Sequence, residues 1–198
     1  ALWNPASDVP QTLTVNKANQ PITFSILPAT TSGNSDFTVS ATAGSGLSVS
    51  FASDNSAVAT VAGNLIHITG GGSAVITASQ AGNSNYNPAP NVPQTLTVNK
   101  ADLTFTAENK IKVYLEANPT LTFTISGFVN GETQSVLDTP PSAQTTALQT
   151  SPVGDYPITV TGGSDNSYNY IYVAGTLTIT MFQQTITFTD VPEKLLVG

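Results

Sequence analysis

The chain has 198 residues, of which only 9% are charged, and its formal net charge is −7. All of its basic residues are lysines, and they are scattered along the chain. This disfavours binding to nucleic acid or to an anionic membrane, because both need clustered positive charge. Cysteine is absent, so neither a disulfide nor a thiolate metal site can form. No apolar run approaches the roughly 18 residues that a membrane span needs.

A long internal repeat defines the organisation of the chain. Residues 4–18 read NPASDVPQTLTVNKA, and residues 87–101 read NPAPNVPQTLTVNKA, an offset of 83 residues that suits one small β domain. A shorter repeat, Ile-Thr-Phe followed by Pro, occurs at residues 22–28 and again at residues 186–192. The repeats predict four pieces: the tail of one repeat at 1–18, a complete unit at 19–100, a second unit of different pattern at 101–180, and the start of a further repeat at 181–198.

Alternation of apolar and polar residues predicts strands throughout. The clearest runs are Gln11–Asn16, Thr95–Val98, Leu121–Ile125, Ile158–Val160 and Thr176–Thr180. They are rich in β-branched residues, which suit a pleated surface, and clusters of Gly, Ser and Asn separate them. The best helical candidate is the short segment Glu132–Leu137. The predicted fold class is therefore all-β, with tandem small β-sandwich modules of the immunoglobulin-like kind and one short helical turn in the second module.

Residues 19–100 contain a pattern typical of one kind of surface-protein repeat. Residues 53–79 read SDNSAVATVAGNLIHITGGGSAVITAS, with Ser53, Val58, Ala59, Val61, Gly72, Ile76, Thr77 and Ala78 at the positions that carry the pattern. This resembles the bacterial immunoglobulin-like domain of intimin- and invasin-type proteins. The resemblance implies that residues 1–18 supply the C-terminal strand of a preceding immunoglobulin-like repeat, and that 181–198 begin a following one.

Residues 101–180 show a different pattern. Its matching stretches are Val113-Tyr114, Asn118-Pro119 with Leu121-Thr122-Phe123, residues 126–131 (SGFVNG), residues 151–160 (SPVGDYPITV) and residues 175–179 (GTLTI). They resemble the MBG domain of the YGX type, in which Gly usually follows the tyrosine, whereas this chain has Leu115. The resemblance implies a β domain that occurs as a repeat in long bacterial adhesins.

Together, repeats and resemblance favour a passive structural role. The modules would be stalk or spacer repeats of a large secreted or cell-surface bacterial adhesin, with a role in cell adhesion and in gliding or biofilm formation. Their partners would be neighbouring repeats of the same chain, with host or environmental glycans bound through other domains. Residues 97–104 support a stiff joint, because they pass from strand pattern to strand pattern without a Gly, Ser or Pro run.

The alternative is a glycan-binding accessory module of an adhesin or of a modular extracellular hydrolase. Tyr168, Tyr170 and Tyr172 alternate, so they would line one face of a strand and could stack on sugar rings. The competing interpretation, which the resemblance favours, places these tyrosines in the core, where a buried hydroxyl needs a partner. Exposure of this stripe discriminates between the two hypotheses.

No residue pattern predicts a catalytic or cofactor site. His67 lies between Ile66 and Ile68, which predicts a solvent-facing histidine on a strand. Residues 70–73 (GGGS) lack the Gly-Lys-Ser/Thr ending of a phosphate loop and predict a hairpin turn.

We expect no metal requirement. Calcium at a domain junction is the alternative, with candidate ligands Asp36, Asp102, Glu108, Asp165 and Asn166. The chain is expected not to be an enzyme.

Overall fold

The computed structural model describes residues 3–187. The chain divides into two compact units, Ala1–Lys100 and Ala101–Gly198. Within residues 3–187 no helix is long and apolar enough to cross a membrane.

Within residues 3–100, the first unit is built from nine short strands. In chain order these are β1 (Ile22–Phe24), β2 (Thr30–Thr31), β3 (Phe37–Thr38), β4 (Ala41–Ala43), β5 (Ser50–Ser53), β6 (Ala59–Ala62), β7 (Leu65–Ile68), β8 (Gly72–Ser79) and β9 (Val92–Asn99). They form a four-stranded sheet in the order β2-β9-β8-β5, a three-stranded sheet β3-β7-β6 and the pair β1-β4. Only Lys100 separates β9 from the first strand of the second unit.

Alternation places the core of the first unit between these sheets. In β9, Leu96 and Val98 are fully or almost fully buried, while Thr95 and Thr97, which alternate with them, are exposed. Ile66 and Ile68 of β7 contribute from the three-stranded sheet, and Ile76 of β8 contributes from the four-stranded one. The unit is thus a sandwich held by side chains from opposing sheets, as the alternation predicted.

Within residues 101–187, the second unit has seven strands and one helical turn. In chain order these are β10 (Ala101–Ala107), β11 (Lys110–Val113), β12 (Phe123–Ser126), a 3₁₀ turn (Gln134–Val136), β13 (Ser142–Thr145), β14 (Gly154–Thr161), β15 (Tyr168–Val173) and β16 (Gly175–Thr180). One sheet has the order β12-β10-β15 and the other β11-β16-β14-β13. The 3₁₀ turn lies inside the segment that the sequence marked as helical.

Both sheets contribute to the core of the second unit. Leu103 and Phe105 of β10 come from the three-stranded sheet, and Ile158, Leu177 and Ile179 come from the four-stranded sheet. All five are at most 1% exposed. The all-β fold class and its two sandwich modules, predicted from the sequence, are therefore confirmed.

In the second unit, the first and last segments run parallel to each other and change sheets together. Ala101 of β10 is opposite Tyr168 of β15, and Val113 of β11 is opposite Thr180 of β16, a difference of 67 in both cases. The change of sheet falls at Gly175, where an added Cβ would lie 2.7 Å from the Ala107 carbonyl oxygen. Glycine is needed here because the two segments approach so closely. We call this pairing the terminal ladder.

The first unit has a shorter terminal ladder. Ala18 forms a parallel bridge with Tyr86, and Thr30 and Thr31 of β2 pair with Val98 and Asn99 of β9. The difference in residue number is 68 at both ends. Between them, β1 leaves the ladder to pair with β4. The two units therefore share the same arrangement of first and last segments, continuous in the second and interrupted in the first.

Two sequence predictions need correction or comment. Residues 70–73 do not form a hairpin turn, because β7 and β8 belong to different sheets and this segment crosses between them. The glycines that suggested a tight turn serve this crossing: Gly72 has φ +137°, and an added Cβ would lie 2.9 Å from Val58.

Gln11–Asn16 carries no strand within residues 3–187, and Leu13 is 86% exposed there.

Candidate functional site

Tyr168, the first residue of the proposed stripe, is a core residue. It is 2% exposed, and its ring centroid lies 5.7 Å from that of Phe128. Its hydroxyl donates to Glu132 Oε2 at 2.5 Å and accepts from the Val129 N–H at 3.0 Å. Burial, assisted by the hydrogen bond to the Glu132 carboxylate, raises the pKa of Tyr168 to about 12. This tyrosine ties the loop before the 3₁₀ turn to the sheet.

Tyr170 is half-buried and packs against the core. Its ring centroid is 4.7 Å from that of Phe105, and its hydroxyl donates to the Ser164 carbonyl oxygen at 3.1 Å. Burial, together with the nearby Asp165 carboxylate, raises the pKa of Tyr170 above its usual value. One edge of its ring also closes the turn at Gly163, since a Cβ added there would meet Tyr170 Cε2 at 2.8 Å.

Only Tyr172 offers substantial surface, at 40% exposure. Its hydroxyl donates to the Gly162 carbonyl oxygen, and its ring stands at 87° to that of Tyr170, with the centroids 6.4 Å apart. A sugar-stacking platform needs exposed ring faces that lie side by side. The three tyrosines therefore form a buried-to-exposed gradient along β15 rather than one flat aromatic surface.

The carboxylates proposed as calcium ligands are held one by one in local contacts. Asp36 Oδ1 lies 2.7 Å from His67 Nδ1, and Asp102 Oδ1 accepts from Asn169 Nδ2 at 3.3 Å. Glu108 Oε2 lies 2.9 Å from Lys110 Nζ. Among the described residues, no group of three or more His, Cys, Asp or Glu side chains could hold a metal ion. The sequence candidates are therefore not brought together in this part of the chain.

Glu108 shows what such a local contact does to ionisation. Its carboxylate accepts from the Thr122 hydroxyl at 2.5 Å as well as from Lys110. These two hydrogen bonds, that of Thr122 first, and the positive charge of Lys110 lower the pKa of Glu108. The group stays ionised near neutrality and joins β11 to the segment before β12.

His67 lies where the alternation predicted. Ile66 and Ile68 on either side are buried, and the His67 side chain is 61% exposed. Its Asp36 partner lies on the segment that leads into β3, the strand paired with β7. The pair is thus a surface contact within one sheet.

Lys112 is a buried residue that the sequence interpretation missed. It is 4% exposed, and its ammonium donates to the carbonyl oxygens of Leu148, Glu116 and Gln149 at 2.9, 3.1 and 3.4 Å. The neighbouring Ile111 is 71% exposed, so β11 reverses the usual distribution of apolar and polar side chains. A buried ammonium needs such acceptors, and here it joins the end of β11 to the loop before β14.

A matching Asx turn precedes the last segment of each unit. Asn83 Oδ1 accepts from the N–H groups of Asn85 and Tyr86, at 2.8 and 3.0 Å. Asp165 Oδ1 accepts from those of Ser167 and Tyr168, at 2.6 and 3.1 Å. Each turn delivers a tyrosine to the first pair of the terminal ladder. The signal was present in the sequence as Asn-Ser-Asn-Tyr-Asn and Asp-Asn-Ser-Tyr-Asn, and was not recognised.

The fold defines a protein of tandem all-β sandwich units, and the comparisons with known families agree for the second unit. Residues 103–178 match the model of the MBG domain (YGX type). This confirms the resemblance inferred from the motifs of residues 101–180. The resemblance of residues 19–100 to the intimin-type domain stays a prediction. No curated protein matches the chain significantly.

Several solved structures align with the chain. They include the N-terminal four Ig domains of Dscam1 isoform 6.9 (10% identity, TM-score 0.41, 86% of this chain and 48% of that one). Drosophila N-cadherin EC1-4 aligns at 12% identity and TM-score 0.28, over 81% of this chain and 51% of that one. The S-layer protein rSbsC(31-844) aligns at 14% identity and TM-score 0.28, over 83% and 28%. The chain thus spans about half or less of their lengths, and these likenesses carry no argument about function.

Proposed function

We propose that the chain consists of structural spacer repeats from the stalk of a large secreted or cell-surface bacterial adhesin. The observation that carries this proposal is the terminal ladder, present in both units. Because the first and last segments of a unit run parallel, the chain enters at one end of the ladder and leaves at the other. Each such unit therefore separates its own entry and exit points by the length of the ladder, which is what a spacer needs.

Three further observations support the spacer role. The 15-residue repeat recurs at an offset of 83, so the chain is built from modules. Each unit has its own buried core. A connection of one residue, Lys100, leaves little chain for a flexible linker between β9 and β10. In the same proposal the chain is extracellular, needs no cofactor and is not an enzyme. Its direct partners are neighbouring repeats.

The spacer role is tested by placing one, two or three copies of the chain between a membrane anchor and a reporter epitope on a bacterial surface. Each copy should raise the epitope by a constant increment, measured by fluorescence interference. A matched insert of equal length made of Gly-Ser repeats should give increments that shrink with each added copy, because a flexible chain extends only with the square root of its length. A height that does not rise with copy number would contradict the proposal.

Glycan binding on β15 is the second candidate function, because the ring of Tyr172 is exposed and could stack on a sugar. A stacking site would lose binding in Tyr172→Ala and retain it in Tyr172→Phe, because the face of the ring and not its hydroxyl contacts the sugar. A screen at millimolar glycan followed by titration of both variants tests this. We expect no saturable binding, and binding that follows the ring of Tyr172 would replace the spacer hypothesis.

A further inference from the structure

We infer that the terminal ladder of the second unit is a shear-resistant mechanical clamp, so that this unit bears tension along the chain as well as providing length. The inference rests on the proposed spacer role for its biological meaning. It goes beyond that role, because a spacer that only fills distance has no need to resist a pulling force.

The direction of the strands decides how force acts on them. Tension pulls residue 101 towards the preceding chain and residue 180 towards the following chain. In a parallel pair these two pulls are opposed along the strand axis, so the strands slide past each other and all the ladder bonds stretch together. In an antiparallel pair pulled at one end, the bonds open one after another.

The extent of the ladder shows how many contacts share this load. β10 pairs with β15 at six successive residues, and β11 pairs with β16 at four. The ladder is closed at both ends, where the Ala101 N–H donates to the Ser167 carbonyl at 2.9 Å and the Tyr114 N–H donates to the Thr180 carbonyl at 2.9 Å. The loaded contacts therefore reach from the first residue of the unit to its last strand.

The change of sheet in the middle of the ladder is bridged by a side chain. Asn109 lies between β10 and β11, and its Oδ1 accepts from the Thr176 N–H at 2.8 Å. Without this bond the ladder would be open between its two halves. Asn109 thus links the two halves of the clamp across the change of sheet.

The first unit provides an internal comparison. Among the described residues, its backbone ladder has only the Ala18–Tyr86 bridge and the two pairs of β2 with β9, and the intervening residues leave to form β1. Side chains supplement it: Gln20 Nε2 donates to the Asn87 carbonyl at 2.8 Å, and Gln94 Nε2 donates to the Phe24 carbonyl of β1 at 2.9 Å. Fewer backbone pairs share the load at one time, three against ten in the second unit. The first unit should therefore open at a lower force than the second.

Single-molecule force spectroscopy on the full chain tests the clamp, and the absence of native cysteine allows handles at chosen points. Asn99→Cys with Met181→Cys pulls along the terminal ladder of the second unit. Ser142→Cys with Thr161→Cys, two exposed residues opposite each other on β13 and β14, opens the antiparallel pair of the same unit. We expect a clearly higher unfolding force in the first geometry. Equal forces in the two geometries would overturn the inference.

A variant pair separates the clamp from general stability. Asn109→Ala removes the bond to Thr176, and Asn118→Ala removes a comparable bond outside the ladder, from Asn118 Nδ2 to the Ala147 carbonyl at 2.6 Å. At a fixed force along the ladder, Asn109→Ala should speed unfolding about fivefold, the effect of losing one side-chain hydrogen bond. For the same loss of equilibrium stability, Asn118→Ala should speed unfolding under force less than Asn109→Ala does. A larger acceleration in Asn118→Ala than in Asn109→Ala would overturn the inference.

The first unit is pulled through Lys17→Cys with Asn99→Cys in the same instrument. If the first unit unfolds at a lower force than the second, the result supports the ladder as the cause of the mechanical resistance. A higher unfolding force for the first unit contradicts it. These results are independent of the spacer test. A chain that fails to raise the epitope but resists shear disproves the proposed function alone, and the converse result disproves the clamp alone.

Discussion

At the scale of single residues, Leu115 shows a conflict between sequence and backbone. It has φ +72°, a left-handed conformation that costs a residue with a side chain about 1–2 kcal/mol, whereas glycine adopts it freely. Leu115 is 53% exposed, so its side chain recovers little by burial. Gly is the residue that the MBG pattern usually has after the tyrosine, and the backbone here retains the conformation that Gly would favour.

Replacing Leu115 by Gly should therefore stabilise the second unit by about 0.5–1 kcal/mol, since relief of strain exceeds the added entropy of the unfolded chain. Urea unfolding monitored by circular dichroism measures this. Asn130→Gly is the matched control, because Asn130 has φ 55° but asparagine tolerates that region well. A loss of stability in Leu115→Gly would show that the exposed leucine makes a contribution its contacts do not reveal.

Tyr168 makes the second unit sensitive to alkaline pH. Its pKa is about 12 in the folded chain, against about 10 when unfolded. Between these values the native state binds more protons than the unfolded state. The stability that Tyr168 contributes is therefore fully present below pH 10 and is lost as the pH rises through 12. Urea unfolding at pH 9, 10 and 11 should show this decline. The decline should be smaller in Tyr168→Phe, and an unchanged slope in that variant would contradict the assignment.

At the scale of strands, much of the fold could be predicted from alternation. Leu96, Val98, Leu177 and Ile179 are buried as the pattern requires, because every second residue of a strand points to the same face. Alternation does not predict which strands pair with each other. The crossing at Gly70–Gly72 and the parallel pairing of the terminal ladder are long-range arrangements. They depend on which sheet each strand joins.

The candidate site was less predictable than the strands. The spacing of Tyr168, Tyr170 and Tyr172 fixed their common face but not its depth, which depends on Phe105 and Phe128 packing against them. Lys112 was overlooked because lysine is rarely buried, and the carbonyl groups that hold it come from distant loops. Only the assembled loops show the environment of such a residue.

Truncating Leu177 in the centre of β16 should cost the second unit about 2–5 kcal/mol, because the side chain is fully buried and leaves a cavity. Leu148→Ala is the matched control, since that leucine is 68% exposed and its loss should change the unfolding free energy by no more than about 0.5 kcal/mol. Denaturant unfolding of both variants measures the difference. Similar losses in the two would mean that β16 does not carry the core.

At the scale of the whole molecule, two buried clusters predict two cooperative unfolding units. Leu96→Ala should lower the melting temperature of the first unit, and Leu177→Ala that of the second, each leaving the other transition in place. Differential scanning calorimetry on the full chain resolves the two transitions. A shift of both by either variant would show that the units unfold together.

Calcium should leave the whole molecule unchanged. The carboxylates of Asp36, Asp102 and Glu108 are engaged separately, and a native-state ligand would raise the melting temperature by mass action. Thermal melts in excess Ca²⁺ and in EDTA should agree within error. A large upward shift with Ca²⁺ would reveal a site that these local contacts do not show.

The terminal ladder also determines when a unit can finish folding. A polypeptide that emerges N-terminus first, from a ribosome or from a membrane pore, presents β10 and β11 early, but their parallel partners β15 and β16 are the last strands of the unit to appear. Closing contacts 67 residues apart is slow, and it is impossible while one partner is still inside. The terminal ladder of the second unit therefore closes only after its last described strand has come through, whichever of the other strand pairs have already formed.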